Sequence, residues 1–322
     1  MTATAAAASR TRDLLQAPLL PTLFRLATPN VIGLFATTVV IGYDGYILGR
    51  IGPDALAGVA LVLPLSMLML QMAAGGIGGA VTASVARALG GGRSEDADRL
   101  AQHALLIAAM LALPFMLAML VFGDGIYRAM GGREGALAAA LDYSNVLFGG
   151  ALLICLSNIL AAIVRGAGNM VLPSGLMLAT AVVHLVLCPL LVFGWGPVPG
   201  FGLPGAAIST LAISLISIVV LLHHLDSGGG AVHLRRRRWQ LGADYLRAIL
   251  RVGAPASLSP ILSNGSIAAA TALIGSFGTA ALAGYGVAAR LEYIMVPIAF
   301  GFGTALTTLV ATNMGAGQRE RA

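Results

Sequence analysis

Charge is what this sequence has least of. Asp, Glu, Lys and Arg make up 10% of its 322 residues, against 58% hydrophobic residues. A soluble domain carries roughly 25% charged residues. So few charges cannot coat a water-soluble globule, and the mean hydropathy of +0.89 agrees. Lysine is absent, so all 19 basic residues are arginine. The two cysteines, Cys155 and Cys188, both lie in apolar runs and suggest no disulfide framework. Strict polar–apolar alternation over ten-residue segments is missing, which argues against a β-barrel. No short apolar core with a small-residue cleavage site opens the chain. Residues 1–20, Ala-rich with Arg10 and Arg12, therefore read as a cytoplasmic tail and not as a signal peptide. Gly75-Gly76-Ile77-Gly78-Gly79 is not followed by Lys-Ser/Thr, so it is no phosphate loop. No nucleophile constellation, metal motif or nucleotide loop points to an enzyme or a cofactor.

What is present is a series of long charge-free runs, at 26–43, 55–86, 104–123, 143–164, 166–225 and 252–289. About 20 apolar residues cross a bilayer as a helix, and helices satisfy their own backbone groups in lipid. The 166–225 run is long enough for two spans and breaks at Gly194-Trp195-Gly196-Pro197-Val198-Pro199-Gly200, a turn signal. The 252–289 run breaks near Gly275 to Thr279. The expectation is an all-α membrane protein of about eight spans, at 22–49, 55–88, 100–123, 137–164, 170–194, 204–225, 248–275 and 280–314. Placing the N-terminus inside puts 15 of the 19 arginines on cytoplasmic segments and leaves Arg50, Arg128 and Arg133 in outer loops. That asymmetry sets the orientation in a cell inner membrane and explains the net charge of +6 without nucleic-acid binding.

The chain also repeats itself. Arg25-Leu26-Ala27-Thr28-Pro29 matches Arg251-Val252-Gly253-Ala254-Pro255, and 52–58 matches 278–284 at the same offset of 226. Val85 to Ala97 matches Val310 to Ala322 at offset 225. Both copies begin with an Arg-flanked span, so six spans separate two starts of like orientation. This is a parallel repeat about an axis along the membrane normal. The expected division is a tail (1–20), a first six-helix lobe (21–225), a cytoplasmic linker (226–247) and a partial second lobe (248–322). The linker is Gly-rich, then carries Arg235 to Arg238, and reads as flexible. The second copy holds two spans against six, so the repeat predicts a chain cut after the eighth of twelve helices, as a fragment or incomplete gene product. A genuine short form that assembles as a dimer is the alternative.

Within the spans a few residues stand out. Asp44 is an acid inside the first span, and a charged group there is costly enough to imply function; the alternative is an ion pair with Arg50. Arg290 and Glu292 sit early in the eighth span as a candidate charge pair. Tyr43, Gln71, Asn145, Asn158 and Asn264 are candidates for lining a cavity, with Asn30 and Met67, Met69, Met72, Met177 and Met295 beside them. Pro29, Pro64, Pro114, Pro255 and Pro297 lie inside spans, where proline removes a backbone bond and bends a helix.

Several stretches together resemble the multidrug and toxic compound extrusion (MATE) family. They are Tyr43-Asp44-Gly45-Tyr46-Ile47-Leu48-Gly49-Arg50-Ile51-Gly52, Val164 to Asn169, Pro189 to Gly194 and Gly205 to Thr210, with the Gly-rich ends of the second and eighth spans. The resemblance runs from about Arg25 to Ala322. It implies two six-helix lobes around a central cavity, alternating access, and export of drugs or other cationic or amphiphilic compounds against inward H+ or Na+. The full-length protein is then expected to be a monomer in contact with membrane lipids. In the family an inner site of the first lobe uses a first-span Asp, an Asn and an Asp on the fifth span and a Thr on the sixth. By position these fall on Asp44, His184, Cys188 and Thr210, so two of the four differ. Na+, a hard cation, prefers oxygen ligands, whereas His titrates near neutral pH. The expected coupling ion is therefore H+, with Na+ second and no bound metal. The acid found on the seventh span of one branch is missing; Ser263 and Asn264 lie there. A lipid-linked oligosaccharide flippase of the same superfamily is the alternative, and would need more arginines inside its spans.

Overall fold

The computed structural model describes residues 3–196, 199–227, 230–234, 242–275 and 279–322. Side chains at 3–8, 264–265, 267–272, 274–275 and 279–294 lie outside that description. The described backbone is helical almost throughout. In chain order the helices are α1 (Ala3–Gln16), α2 (Leu19–Ile51), α3 (Pro53–Gln71), a π-helical turn (Met72–Ile77), α4 (Gly78–Gly90), α5 (Ser94–Ala129), α6 (Glu134–Gly149), α7 (Ala151–Gly166), α8 (Val171–Phe193), α9 (Leu203–Asp226), α10 (Ala243–Gly275) and α11 (Thr279–Gly315).

Among the described residues, α2, the continuous α3–α4 run, α5, α8, α9 and the Met295–Gly315 part of α11 are long and apolar enough to cross a membrane. The α6–α7 pair, bent by 50°, makes a seventh candidate. Helix α10 covers the span expected at 248–275 but is not among them. Large apolar side chains such as Ile32, Val39, Val121, Phe122, Val186 and Val219 are exposed on these helices. A water-soluble monomer rarely tolerates so much contiguous apolar surface, and lipid is the solvent that fits it. The chain is a multi-pass membrane protein.

Two spans read as single helices are interrupted. The 137–164 segment breaks at Gly149-Gly150, where α6 ends and α7 begins. The 55–88 segment passes through the π-helical turn at the Gly75-Gly76 pair. In both places adjacent glycines leave the backbone free to depart from regular α geometry. The turn expected between α8 and α9 is present, with Gly194, Gly196 and Gly202 at positive φ.

Small residues also set how the repeated halves meet. A methyl group at Gly90 on α4 would strike the Thr312 carbonyl on α11, and one at Gly315 would strike the Arg87 carbonyl on α4. At the repeat offset of 225, Gly90 corresponds to Gly315 and Arg87 to Thr312. The contact is thus reciprocal, as a twofold-related pair requires. A second crossing behaves alike: Gly76 abuts Ser257 on α10, and Gly301 abuts Val31 on α2.

Both ends of the first lobe are tied down more firmly than the sequence suggests. The N-terminal tail forms α1, where Leu14 is buried against Leu26, Ala305 and Leu309. Asn313 Nδ2 donates to the Leu14 carbonyl at 3.2 Å, and the Arg321 guanidinium donates to the Ala17 carbonyl. The linker is not free throughout. The His233 amide donates to Asp98 at 2.7 Å and the Gln102 amide to the Leu234 carbonyl at 3.0 Å. The Gly242 amide donates to His103 Nε2 at 2.9 Å, and Val232 and Leu234 are buried. The first turns of α5 thus hold this strand of linker. Arg235 to Arg238 lie outside the described residues.

Candidate functional site

The acid of the first span does not stand alone. Helix α8 packs against both α2 and α9, bringing Asp44, His184 and Ser209 into line. Asp44 Oδ1 lies 2.8 Å from His184 Nε2, and His184 Nδ1 lies 3.0 Å from Ser209 Oγ. His184 and Ser209 are fully buried, whereas the Asp44 side chain is 27% exposed. The chain of bonds therefore has one open end, at the carboxylate. Because His184 and Cys188 are four residues apart, they share a face of α8 and both point inward. Tyr143 of α6 and Tyr43 pack beside Cys188.

This arrangement suits a mobile proton. In a neutral imidazole one nitrogen donates and the other accepts, and in the imidazolium both donate. With neutral His184, Nε2–H donates to the carboxylate and the Ser209 hydroxyl donates to Nδ1. On protonation Nδ1–H donates to Ser209, whose hydroxyl turns to accept. Both ring nitrogens therefore keep a partner whether His184 is neutral or protonated. The order Ser–His–Asp also occurs in hydrolases, but Ser209 is 0% exposed and its hydroxyl is out of a substrate's reach.

Asp44, His184 and Cys188 present ligand atoms that all lie within 4.8 Å of one another. Two ligands on a tetrahedral Zn2+ with bonds of about 2.0–2.1 Å would stand roughly 3.3 Å apart. The 2.8 Å between Asp44 and His184 is instead a hydrogen-bond length. The oxygen count is also low for Na+, since the group supplies one carboxylate, one imidazole and one thiol.

Thr210, expected fourth, turns elsewhere, and its hydroxyl donates to the Ala206 carbonyl of its own helix at 3.2 Å. Ser209, one residue earlier, takes the inward position. Arg50, the alternative partner of Asp44, stacks over the Phe193 ring at 5.3 Å. Asn158 and Met177 line a cavity of about 240 Å³ together with Asn30, Leu34 and Arg165. Tyr43, Gln71 and Asn145 are not among its lining residues. Asn264, Arg290 and Glu292 fall on α10 and α11, but their side chains lie outside the described residues.

Comparison with known proteins places this geometry. A family model described as MatE matches residues 29–190 and 255–322. The chain belongs to the MatE family. It is 27% identical to the FAD transporter of Shewanella oneidensis, over 96% of this chain and 68% of that protein. It is 30% identical to the probable multidrug resistance protein NorM of Deinococcus radiodurans, over 93% of this chain and 65% of that one. The chain thus spans about two thirds of the length of these curated relatives. Among solved structures it is similar to a MOP superfamily transporter from Pyrococcus furiosus, at TM-score 0.88 and 28% identity, covering 96% of this chain and 68% of that one. MatE family members are transporters, and the helical repeat seen here is the architecture shared with these structures.

Proposed function

We propose that this chain is the larger part of a secondary active antiporter that exports small amphiphilic compounds, driven by inward H+. The division into a six-helix lobe (21–225) and a second, parallel lobe (from 248) belongs to this reading, as do the inner-membrane location and the cytoplasmic N-terminus. The observation that carries it is the bridge from Asp44 through His184 to Ser209 across three helices. Protons reach the partly exposed carboxylate of Asp44, and the buried imidazole shares the charge. In its charged form the carboxylate holds α2 against α8. When a proton neutralises Asp44, that ion-assisted bond weakens, and α2 is released to move relative to α8 and α9. Charge-assisted hydrogen bonds are about twice as strong as neutral ones, so one proton changes the hold on α2 by roughly 1–2 kcal/mol. That is enough to tip a balanced two-state equilibrium about tenfold.

The test is dye efflux from proteoliposomes under a pH gradient and, separately, a Na+ gradient. Efflux is expected to follow the pH gradient and to disappear in Asp44→Asn. Full efflux by that variant, or efflux that tracks Na+ alone, overturns the reading. The flippase alternative is disfavoured because it needs several arginines facing the cavity, and among the described residues Arg165 alone lines it.

A further inference from the structure

Arg165 ends α7 in the middle of the helix packing. It is nine-tenths buried, and its Nε has no hydrogen-bond partner. Among the described residues no carboxylate pairs with it. It lines two adjoining cavities of about 240 and 310 Å³, and no Asp or Glu among the described residues lines either one. Asn30, Ser157, Asn158, Thr82 and Thr304 supply the other polar atoms, and Phe300 stands in both walls. An isolated buried charge costs several kcal/mol. The negative end of α7 offsets only about 0.3–1 kcal/mol of that. An anion entering the cavity would supply the pairing that compensates the rest.

We infer that the cavity at Arg165 binds the phosphate or carboxylate end of an amphiphilic organic anion, with the apolar body against Phe300 and its neighbours. This rests on the exporter reading above and specifies its substrate class. A guanidinium offers a planar fork of donors that matches phosphate and carboxylate oxygens two at a time. The Asn30 and Asn158 amides each donate one hydrogen to a backbone carbonyl and keep a second, while most of the wall is apolar. Together the two cavities fall in the size range of small-molecule sites. The sign of the charge is opposite to what an organic cation would require.

The probe pair is FMN and riboflavin, which share one ring system and differ by a phosphate. Binding of each to the 322-residue chain in phosphatidylcholine nanodiscs is read by flavin fluorescence, with no ion gradient present. The wild-type chain is expected to bind FMN at least roughly tenfold more tightly than riboflavin, the scale of a hydrogen bond to a charged group. Arg165→Gln is expected to abolish the preference, and Arg165→Lys to keep part of it. Thermal melting without ligand separates this from a structural role, since removing an uncompensated charge leaves the Arg165→Gln melting temperature unchanged or higher. Loss of the FMN preference only in discs containing phosphatidylglycerol also supports the site and assigns its occupant as a lipid phosphate. Equal or absent binding of the two flavins by the wild type overturns the inference. So does a preference that survives Arg165→Gln, or a melting temperature that falls in that variant. Because the readout needs no proton gradient, its failure leaves the Asp44 coupling scheme standing, and failure of proton-driven efflux leaves the anion site standing.

Discussion

At the scale of single residues, the proton path depends on the side chain that the sequence did not reveal. Ser209 closes the far end of the chain from Asp44, and it lets the His184 ring change protonation with both nitrogens engaged. Ser209→Ala is expected to cut proton-driven efflux roughly tenfold, the cost of an unmet buried polar group, while leaving helical content by circular dichroism unchanged. The paired substitution His184→Asn with Cys188→Asp rebuilds an all-oxygen donor set at the Asp44 site. Efflux by that variant is expected to respond to a Na+ gradient, measured in the same vesicles. Asp44 was legible because an acid inside an apolar run demands an explanation. His184 and Cys188 came by position from the family resemblance, and their spacing of four then put them on one face of a helix. Ser209 was not legible, because choosing between Ser209 and Thr210 requires the rotation of α9 about its own axis. That rotation is fixed by packing against α8, 25 residues away in sequence, and leaves no local signature.

At the scale of helices, composition located the spans and left their internal breaks unseen. A charge-free run reports length and polarity and says nothing of direction, so α6 and α7 merged into one reading although Gly149-Gly150 lies between them. Likewise the glycines at 75–79 gave no sign of the π-helical turn at Met72–Ile77, where Gly76 lies against Ser257 of α10. The close crossings allow a sharp prediction. Gly90→Leu is expected to lower the melting temperature of the purified chain, since its side chain must displace the Thr312 backbone carbonyl. Overpacking of this kind costs typically 1–3 kcal/mol. Gly79→Leu, on the same helical segment but with open space around it, is expected to change stability far less. Equal melting of the two variants would falsify the close-crossing account.

At the scale of the whole molecule, arginine placement underlies the proposed direction across the bilayer. The proposed orientation puts Arg93 on the cytoplasmic side and Arg133 outside; both are exposed, and the native Cys155 and Cys188 are buried. Arg133→Cys is expected to react with a membrane-impermeant maleimide in intact cells, and Arg93→Cys only after permeabilisation. The reverse pattern overturns the orientation. The repeat was readable as sequence because 25–29, 52–58 and 85–97 kept their likeness at a nearly constant offset. The docking of the linker on α5 was not, because glycines and arginines suggest mobility when the partners Asp98, Gln102 and His103 lie more than a hundred residues upstream.

The reciprocal glycine crossings have a consequence of their own. Positions that were one before the halves were duplicated are now two, free to diverge. At one crossing a hydroxyl, Ser257, rests on Gly76; at its mate the branched methyls of Val31 rest on Gly301. The two halves therefore keep one joint in two chemistries, a polar contact at Gly76 and an apolar one at Gly301.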